Sequence, residues 1–199
     1  MIVRGAAAVV VSASPLGVRP ERLSGPDRAG AVAGPRRAAE LALLDALPIR
    51  GCDRLLFVEC GDGWVAEEAW RRMAKGYVCG VDRSVKLVAR ATQLRSVPGR
   101  LEFRTWDGRH LALPDSSFDR VVSRFVSEDA SERVPALQEA RRVLRPGGEL
   151  YLLERDRDGA ELRRLVERLG FVDVGEPAPP AIGAGERRFI VRARRRPPV

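Results

Sequence analysis

Gly61, Gly63 and Asp82 have the types and the spacing of a nucleotide-binding site. The two glycines follow one apolar run, and Asp82 ends a second apolar run about 20 residues further on. Glycines allow the backbone to approach a ligand closely, and the N-terminus of the helix that follows them faces that ligand. An acid at the tip of the second strand can accept hydrogen bonds from the two hydroxyls of a ribose. The spacing therefore predicts the front half of a nucleotide-binding βαβ unit.

Further polar and flat side chains stand where the apolar runs end. In an open α/β sheet, ligands bind at the carboxyl ends of the strands. The residues predicted at that edge are Glu59, Gly61 and Gly63 after the first strand, Asp82 and Arg83 after the second, Trp106, Asp107 and Gly108 after the third, and Ser123 and Arg124 after the fourth. This edge suits a ligand with a ribose, an aromatic base and a cationic or zwitterionic tail. A polyphosphate is disfavoured, because no lysine follows the glycines and a carboxylate, Asp62, lies within the loop.

Strand-like and helix-like patterns alternate along most of the chain. Strands are predicted near residues 54–58, 77–81, 101–105, 119–124, 148–154, 171–175 and 187–193. Helices are predicted near residues 35–47, 63–74, 84–95, 132–144 and 159–169. The alternation predicts an α/β fold, a doubly wound and mostly parallel seven-stranded Rossmann-like sheet in three αβα layers. The link between the last two strands is short and rich in proline and glycine, so we expect the last strand to run antiparallel.

The chain has 199 residues and a net charge of +8, and the charge is concentrated at its two ends. Residues 1–34 are rich in Gly, Ala, Pro and Ser and predict a flexible arm or lid. Residues 35–193 are predicted to form the folded domain, and residues 194–199 a solvated basic tail. The excess of arginine over lysine is spread along the whole chain, so a nucleic-acid partner is disfavoured.

The composition also limits the cellular setting. No apolar run approaches the length of about 18 residues that a membrane span needs. The three cysteines, Cys52, Cys60 and Cys79, have no metal-ligand spacing, which indicates free thiols in a reducing compartment. We therefore expect a cytoplasmic protein without a metal site.

Four stretches resemble, in order and spacing, the motifs of class I S-adenosylmethionine-dependent methyltransferases of the small, type-11-like kind. ECGDGW resembles the glycine motif of that family, and GVDRS resembles its ribose acid with the following turn. WDGRHLALPDSSFDRVVS resembles the run from the adenine-contacting acid into the fourth strand. LQEARRVLRPGGELYLLE resembles the next helix, its Pro-Gly-Gly turn and the fifth strand. The similarity covers roughly residues 36–193, and the family's last strand is antiparallel.

The resemblance implies S-adenosylmethionine as the cofactor and gives each edge residue a role. Gly61 and Gly63 would let the loop approach the methionine part and the ribose, and Asp82 would accept hydrogen bonds from the ribose hydroxyls. Asp107 would accept the adenine amino group. The other contacts implied are Arg83, Leu87, Trp106 and Gly108 around the adenine, and Ser123 and Arg124 near the sulfonium and the substrate entrance.

Phe57 and Glu59 depart from the family's glycine motif. In one alignment Phe57 replaces an acid and Glu59 replaces the first glycine. In the other, shifted by two residues, Glu59 is the acid and Val65 replaces the third glycine. We slightly favour the first alignment. In it, Glu59 either points its charge at the ammonium or sulfonium of the cofactor or blocks the pocket, and the sequence leaves both open.

The predicted function is methyl transfer from S-adenosylmethionine to an unidentified small-molecule acceptor. The acceptor site would come from residues 1–50, 123–133 and 176–186 or from a partner chain. Catalytic residues are not predicted. His110, Glu128 and Asp129 are candidate bases, but each is better interpreted as a loop residue without a functional role.

Two other functions fit parts of the pattern. Phe57, Glu59 and the small amount of chain available for an acceptor site favour a non-catalytic methyltransferase-like subunit that works with a partner protein, or as a homodimer. Gly61, Gly63 and Ala66 with Asp82 also fit the fingerprint of an NAD(P)-dependent oxidoreductase. The stretch from Trp106 to Ser123 argues against that second alternative.

Overall fold

The structure is a computed structural model, and it describes residues 35–123, 130–155, 159–175 and 188–197. The helices are α1 (Pro35–Ala46), α2 (Trp64–Arg71), α3 (Val85–Arg95), α4 (Ala130–Val143) and α5 (Gly159–Arg168). The strands are β1 (Arg54–Val58), β2 (Tyr77–Asp82), β3 (Leu101–Thr105), β4 (Phe118–Ser123), β5 (Leu144–Arg155), β6 (Phe171–Gly175) and β7 (Arg188–Arg195). None of the described helices has the length and apolarity needed to cross a membrane.

All seven strands join one sheet in the order β3-β2-β1-β4-β5-β7-β6. Strands β1 to β5 are mutually parallel, and β7 runs antiparallel to both β5 and β6. The predicted fold class and the antiparallel last strand are confirmed. The strand order reverses between β1 and β4, and the carboxyl ends of strands at such a reversal are the usual ligand-binding edge of this architecture.

Helices cover both faces of the sheet, which explains the nearly unbroken apolar runs of the central strands. Leu55 and Phe57 of β1 face a core shared with α1, α2 and α3. Leu56 and Val58 face a second core shared with α4 and α5. This alternation gives the predicted three layers.

Two strands extend further than predicted. Strand β5 begins at Leu144 and includes the Pro-Gly-Gly turn. Its pairing with β4 shifts register between Phe118 and Arg120. Strand β7 ends at Arg195, two residues beyond the predicted boundary at 193.

The first arginines of the predicted solvated tail are therefore structural, which corrects that interpretation. The guanidinium of Arg195 donates to the carbonyl of Arg142 over 3.1 Å, to Ser116 Oγ over 3.0 Å, and to the carbonyl of Leu144. Arg194 pairs with Asp173 at 2.9 Å. The predicted arm, residues 1–34, lies outside the described residues.

A buried charge network closes the amino ends of the central strands. Arg120 of β4 has a side chain that is 6% exposed, pairs with Asp53 and lies 3.2 Å from the carboxylate of Glu149. Burial alone would raise the pKa of Glu149, but Arg192 and Arg120 outweigh burial and lower it. Ionised Glu149 therefore stabilises the fold at neutral pH. This contribution is lost as the pH falls through the folded-state pKa of Glu149.

We expect Arg120→Met to lower the free energy of unfolding by about 3–5 kcal/mol, because it removes the buried cation from Asp53 and one of the cations that face Glu149. The matched control is Arg145→Met, since Arg145 is 46% exposed and pairs with Asp119 at 2.7 Å. The control is expected to cost less than about 1 kcal/mol. Urea unfolding at neutral pH measures both, and equal costs would contradict the structural role of Arg120.

Candidate functional site

The loop after β1 has an alternating left-handed backbone. Glu59, Gly61 and Gly63 have φ angles of 56°, 62° and 78°. Glycine adopts such angles freely, whereas a residue with a side chain gives up about 1–2 kcal/mol. Glu59 therefore has the backbone conformation of a glycine, which fits the alignment that puts Glu59 at the family's first glycine. Phe57 is 1% exposed and belongs to the core.

The carboxylate of Asp82 ties this loop to the tip of β2. One carboxylate oxygen accepts the N–H of Gly61 at 2.7 Å, and the other accepts the N–H of Ser84 at 2.9 Å. The parallel pairing of Val58 with Val81 brings the ends of β1 and β2 side by side, so the bond to Gly61 forms without a long reach. Asp82 is 6% exposed and joins the glycine loop to the turn that starts α3.

Packing from α3 and β3 fixes the far end of the loop. A Cβ at Gly63 would lie 2.5 Å from a ring carbon of Phe103 and 2.9 Å from Cβ of Ala91. Arg95 of α3 donates to the carbonyl of Asp62 at 2.9 Å, and its guanidinium lies 3.7 Å from the carboxylate of Asp62. The charge of Asp62 is thereby balanced from the α3 side of the loop.

A pocket of about 410 Å³ opens at the carboxyl ends of the strands, between the sheet and α4. Five residues predicted for the site line it: Glu59, Arg83, Trp106, Gly108 and Ser123. The structure thus brings together side chains that follow four different strands.

The wall that the sequence analysis missed comes from α4. Glu132, Ala136 and Ala140 recur every four residues and so lie on one face of the helix. The two alanines leave space that larger side chains would fill. The i, i+4 spacing of an acid and two small residues was the available signal, but the same spacing is common on surface helices that bind no ligand. The remaining lining residues are Val58, Val121, Leu137, Leu150 and Leu152.

Trp106 gives the pocket an unsatisfied donor. Its indole N–H is buried and has no hydrogen-bond partner among the described residues. The indole also helps to lower the pKa of Glu59, so it lies near that carboxylate, and a ligand acceptor in the pocket would compete for the same donor. The apolar part of the lining, together with the Trp106 ring, suits a flat ring such as an aromatic base.

Arg83 joins two acids at the pocket. Its Nε lies 3.3 Å from Glu59, and its terminal nitrogen lies 2.8 Å from Glu132. It also packs on Gly108, where an added Cβ would lie 3.1 Å from the arginine Cδ. Burial raises the pKa of Glu59, the charge of Asp82 raises it further, and Arg83 opposes both.

Asp107 lies outside the pocket lining that the structure describes. Its carboxylate accepts the backbone N–H of His110 at 2.7 Å and that of Arg109 at 2.8 Å, which closes a turn. These bonds, the one from His110 first, lower its pKa. His110 is 70% exposed and lies 3.1 Å from Glu139. Among the other candidates, Arg124, Glu128 and Asp129 lie outside the described residues.

Known proteins resemble the chain in sequence. Residues 56–152 match a family described as Methyltransferase domain. A 27-O-demethylrifamycin SV methyltransferase of Amycolatopsis mediterranei is 38% identical over 116 residues, which make up 55% of this chain and 41% of that relative. A ubiquinone/menaquinone biosynthesis C-methyltransferase of Paracoccus denitrificans is 36% identical over 124 residues, 61% of this chain and 50% of that relative. The matched part of the chain spans half or less of the length of these two relatives.

The fold agrees with the sequence match. An S-adenosylmethionine-dependent methyltransferase from Mesorhizobium loti superposes with a TM-score of 0.64 at 24% identity, over 81% of this chain and 100% of that one. The predicted resemblance is confirmed. Residues 56–152 are thus similar to a methyltransferase domain, and the fold is that of the solved methyltransferase.

Gly63→Ala is expected to lower the free energy of unfolding by about 2–4 kcal/mol, because it adds a collision with Phe103 to the strain of a positive φ. Gly99→Ala is the matched control, since Gly99 has a φ of 69° but no atom within 4 Å of an added Cβ. It should cost only the backbone strain, about 1–2 kcal/mol. Thermal and urea unfolding measure both. A Gly63→Ala cost no greater than that of the control would show that the packing at Gly63 is not tight.

Proposed function

We propose that the chain is an S-adenosylmethionine-dependent methyltransferase that acts on a small-molecule acceptor. The observation that carries the proposal is the carboxylate of Asp82, which anchors a left-handed glycine loop beside a pocket with an aromatic wall. The domain match and the fold support the same conclusion.

The residues present fit the proposed cofactor. Each oxygen of Asp82 accepts one backbone N–H and has a second lone pair for a ribose hydroxyl. The apolar pocket beside Trp106 suits the adenine, and the indole N–H can donate to a ring nitrogen. Glu59 and Glu132 supply negative charge at the same pocket, which suits a cationic ligand.

The proposed chemistry makes modest demands on the protein. The bound cofactor supplies a methyl group on a sulfonium, which is already activated for displacement. The residues of the chain then have to hold donor and acceptor in line and keep competing water out. Ser123, where β4 ends, lines the pocket, and we propose that it lies on the acceptor side.

The relatives support a small organic acceptor. Both are named for small organic compounds, a demethylrifamycin in one case and quinones in the other. The pocket walls are mainly apolar, which agrees with acceptors of that kind.

A second candidate, a non-catalytic subunit, rests on the charge bridge at the pocket. Arg83 connects Glu59 with Glu132, and Glu59 stands where the family has a glycine. If the bridge blocked the cofactor permanently, the fold would serve only to bind a partner protein.

The test is calorimetric binding of S-adenosylmethionine and S-adenosylhomocysteine to the whole chain, with NAD as a control ligand. We expect Asp82→Ala to weaken both adenosyl ligands about 10- to 100-fold, because it removes charge-assisted hydrogen bonds to the ribose. Asp119→Ala is the matched control: Asp119 also accepts a backbone N–H, that of Arg54 at 2.8 Å, but at the opposite edge of the sheet.

Three outcomes would count against the proposal. Unchanged affinity in Asp82→Ala would refute the site, and binding of NAD alone would indicate an oxidoreductase. Absence of binding by a folded wild-type chain would favour the non-catalytic subunit. Circular dichroism confirms that each variant is folded before its affinity is compared.

A further inference from the structure

We propose that Glu139 and Arg142 of α4 are positioning residues for the pocket. Together they form a clamp that holds the loop between β3 and β4, so that Trp106 and Gly108 stand in the pocket wall before a ligand arrives. The inference rests on the proposed function, and it assigns a task to two residues that lie outside the pocket lining.

The loop between β3 and β4 depends on contacts with the rest of the domain for its position. Residues 106–117 contain neither helix nor strand. The first residue is fixed to the sheet, because the N–H of Trp106 donates to the carbonyl of Asp82 at 3.3 Å. The next residues close a turn of their own, in which the carboxylate of Asp107 accepts two backbone N–H groups. The part of the loop that lines the pocket therefore needs a second attachment to keep its place.

The clamp supplies that attachment through hydrogen bonds. Glu139 accepts the N–H of Leu111 at 2.7 Å. Arg142 donates to the carbonyl of Leu111 at 2.8 Å and to that of Leu113 at 2.9 Å. These two leucines are 1% and 9% exposed, and buried backbone groups are costly to leave without a partner. The clamp thus pairs backbone groups of the loop at two buried positions.

The two residues of the clamp also hold one another. Two guanidinium nitrogens of Arg142 lie 2.8 and 2.7 Å from the two carboxylate oxygens of Glu139. The hydrogen bond from Arg142, more than any other contact, lowers the pKa of Glu139, so this carboxylate is ionised at neutral pH. The Glu139 side chain is 14% exposed and that of Arg142 is 27% exposed. A bidentate, partly buried pair has a more fixed geometry than a single exposed ion pair.

The position of the clamp on α4 links two walls of the pocket. Ala136 and Ala140 line the pocket and lie about one turn before Glu139 and directly after it. Trp106 and Gly108 line it from the loop that the clamp holds. The loop cannot move away from α4 without breaking its bonds to the clamp. A loop that leaves this position part of the time lowers the binding-competent fraction of the protein, and the apparent dissociation constant rises by the same factor.

The experiment measures the affinity for S-adenosylhomocysteine by calorimetry and its binding kinetics by stopped-flow tryptophan fluorescence. We expect Arg142→Met to weaken binding about tenfold, which corresponds to a loop that is in place about a tenth of the time. The loss should appear in the association rate constant and not in the dissociation rate constant, because the bound ligand itself holds the loop. Glu139→Ala should act in the same direction. Glu139→Gln keeps an acceptor for the N–H of Leu111 and should lose less.

Arg100→Met is the matched control. Arg100 also donates to two backbone carbonyls, those of Gly76 at 2.9 Å and Ala74 at 3.0 Å, but at the amino edge of the sheet. This variant should lose stability and keep the affinity of the wild type. Amide hydrogen exchange at Leu111 should be faster in Arg142→Met and unchanged in Arg100→Met. If Arg142→Met does not fold, Arg142→Lys replaces it, since lysine keeps the charge but lacks the planar fork that reaches the carboxylate and both carbonyls.

The outcomes separate this inference from the proposed function. If the wild type binds S-adenosylhomocysteine and the clamp variants associate with it at the same rate, the clamp only stabilises the fold. The inference then fails and the proposed function stands. An equal loss of affinity in Arg100→Met would attribute the effect to general destabilisation and would also overturn the inference. If the folded wild type binds neither adenosyl ligand, the proposed function fails together with the inference.

Discussion

The hydrogen bond from the N–H of Gly61 to the carboxylate of Asp82 joins the parts on which the candidate site depends. It holds a loop with alternating left-handed residues against the tip of β2, which the parallel pairing places beside the end of β1. The same carboxylate also accepts the N–H of Ser84, whose hydroxyl caps α3. One buried acid therefore sets the shape of the glycine loop and the position of the group proposed to bind ribose.

Charge is arranged differently at the two edges of the sheet. At the amino edge, Arg120 lies buried between Asp53 and Glu149 and holds the central strands together. At the carboxyl edge, the Arg83 guanidinium joins Glu59 and Glu132 but stays 44% exposed, so this bridge is open to exchange. Buried pairs are costly to break and exposed ones are not, so the first network contributes more to stability than the second.

Periodicity and motif order predicted the fold well, because the central strands are buried on both faces and read as unbroken apolar runs. The same patterns predicted that Glu59, Arg83, Trp106, Gly108 and Ser123 lie at one edge of the sheet, and these five residues line one pocket. Contacts between distant segments could not be predicted in this way. The α4 wall at Ala136 and Ala140 and the bonds of Arg195 depend on packing that local patterns do not encode. Asp107 shows a related limit, since its carboxylate closes a local turn and lies away from the pocket lining.

The most direct test of the account is a crystal structure of the whole chain with S-adenosylhomocysteine. The account predicts the ribose hydroxyls within hydrogen-bond distance of Asp82 and the adenine in the pocket beside Trp106, with its ring accepting the indole N–H. A ligand bound elsewhere on the protein would contradict it, as would a saturated crystal in which Arg83 still fills the pocket and no ligand lies at Asp82.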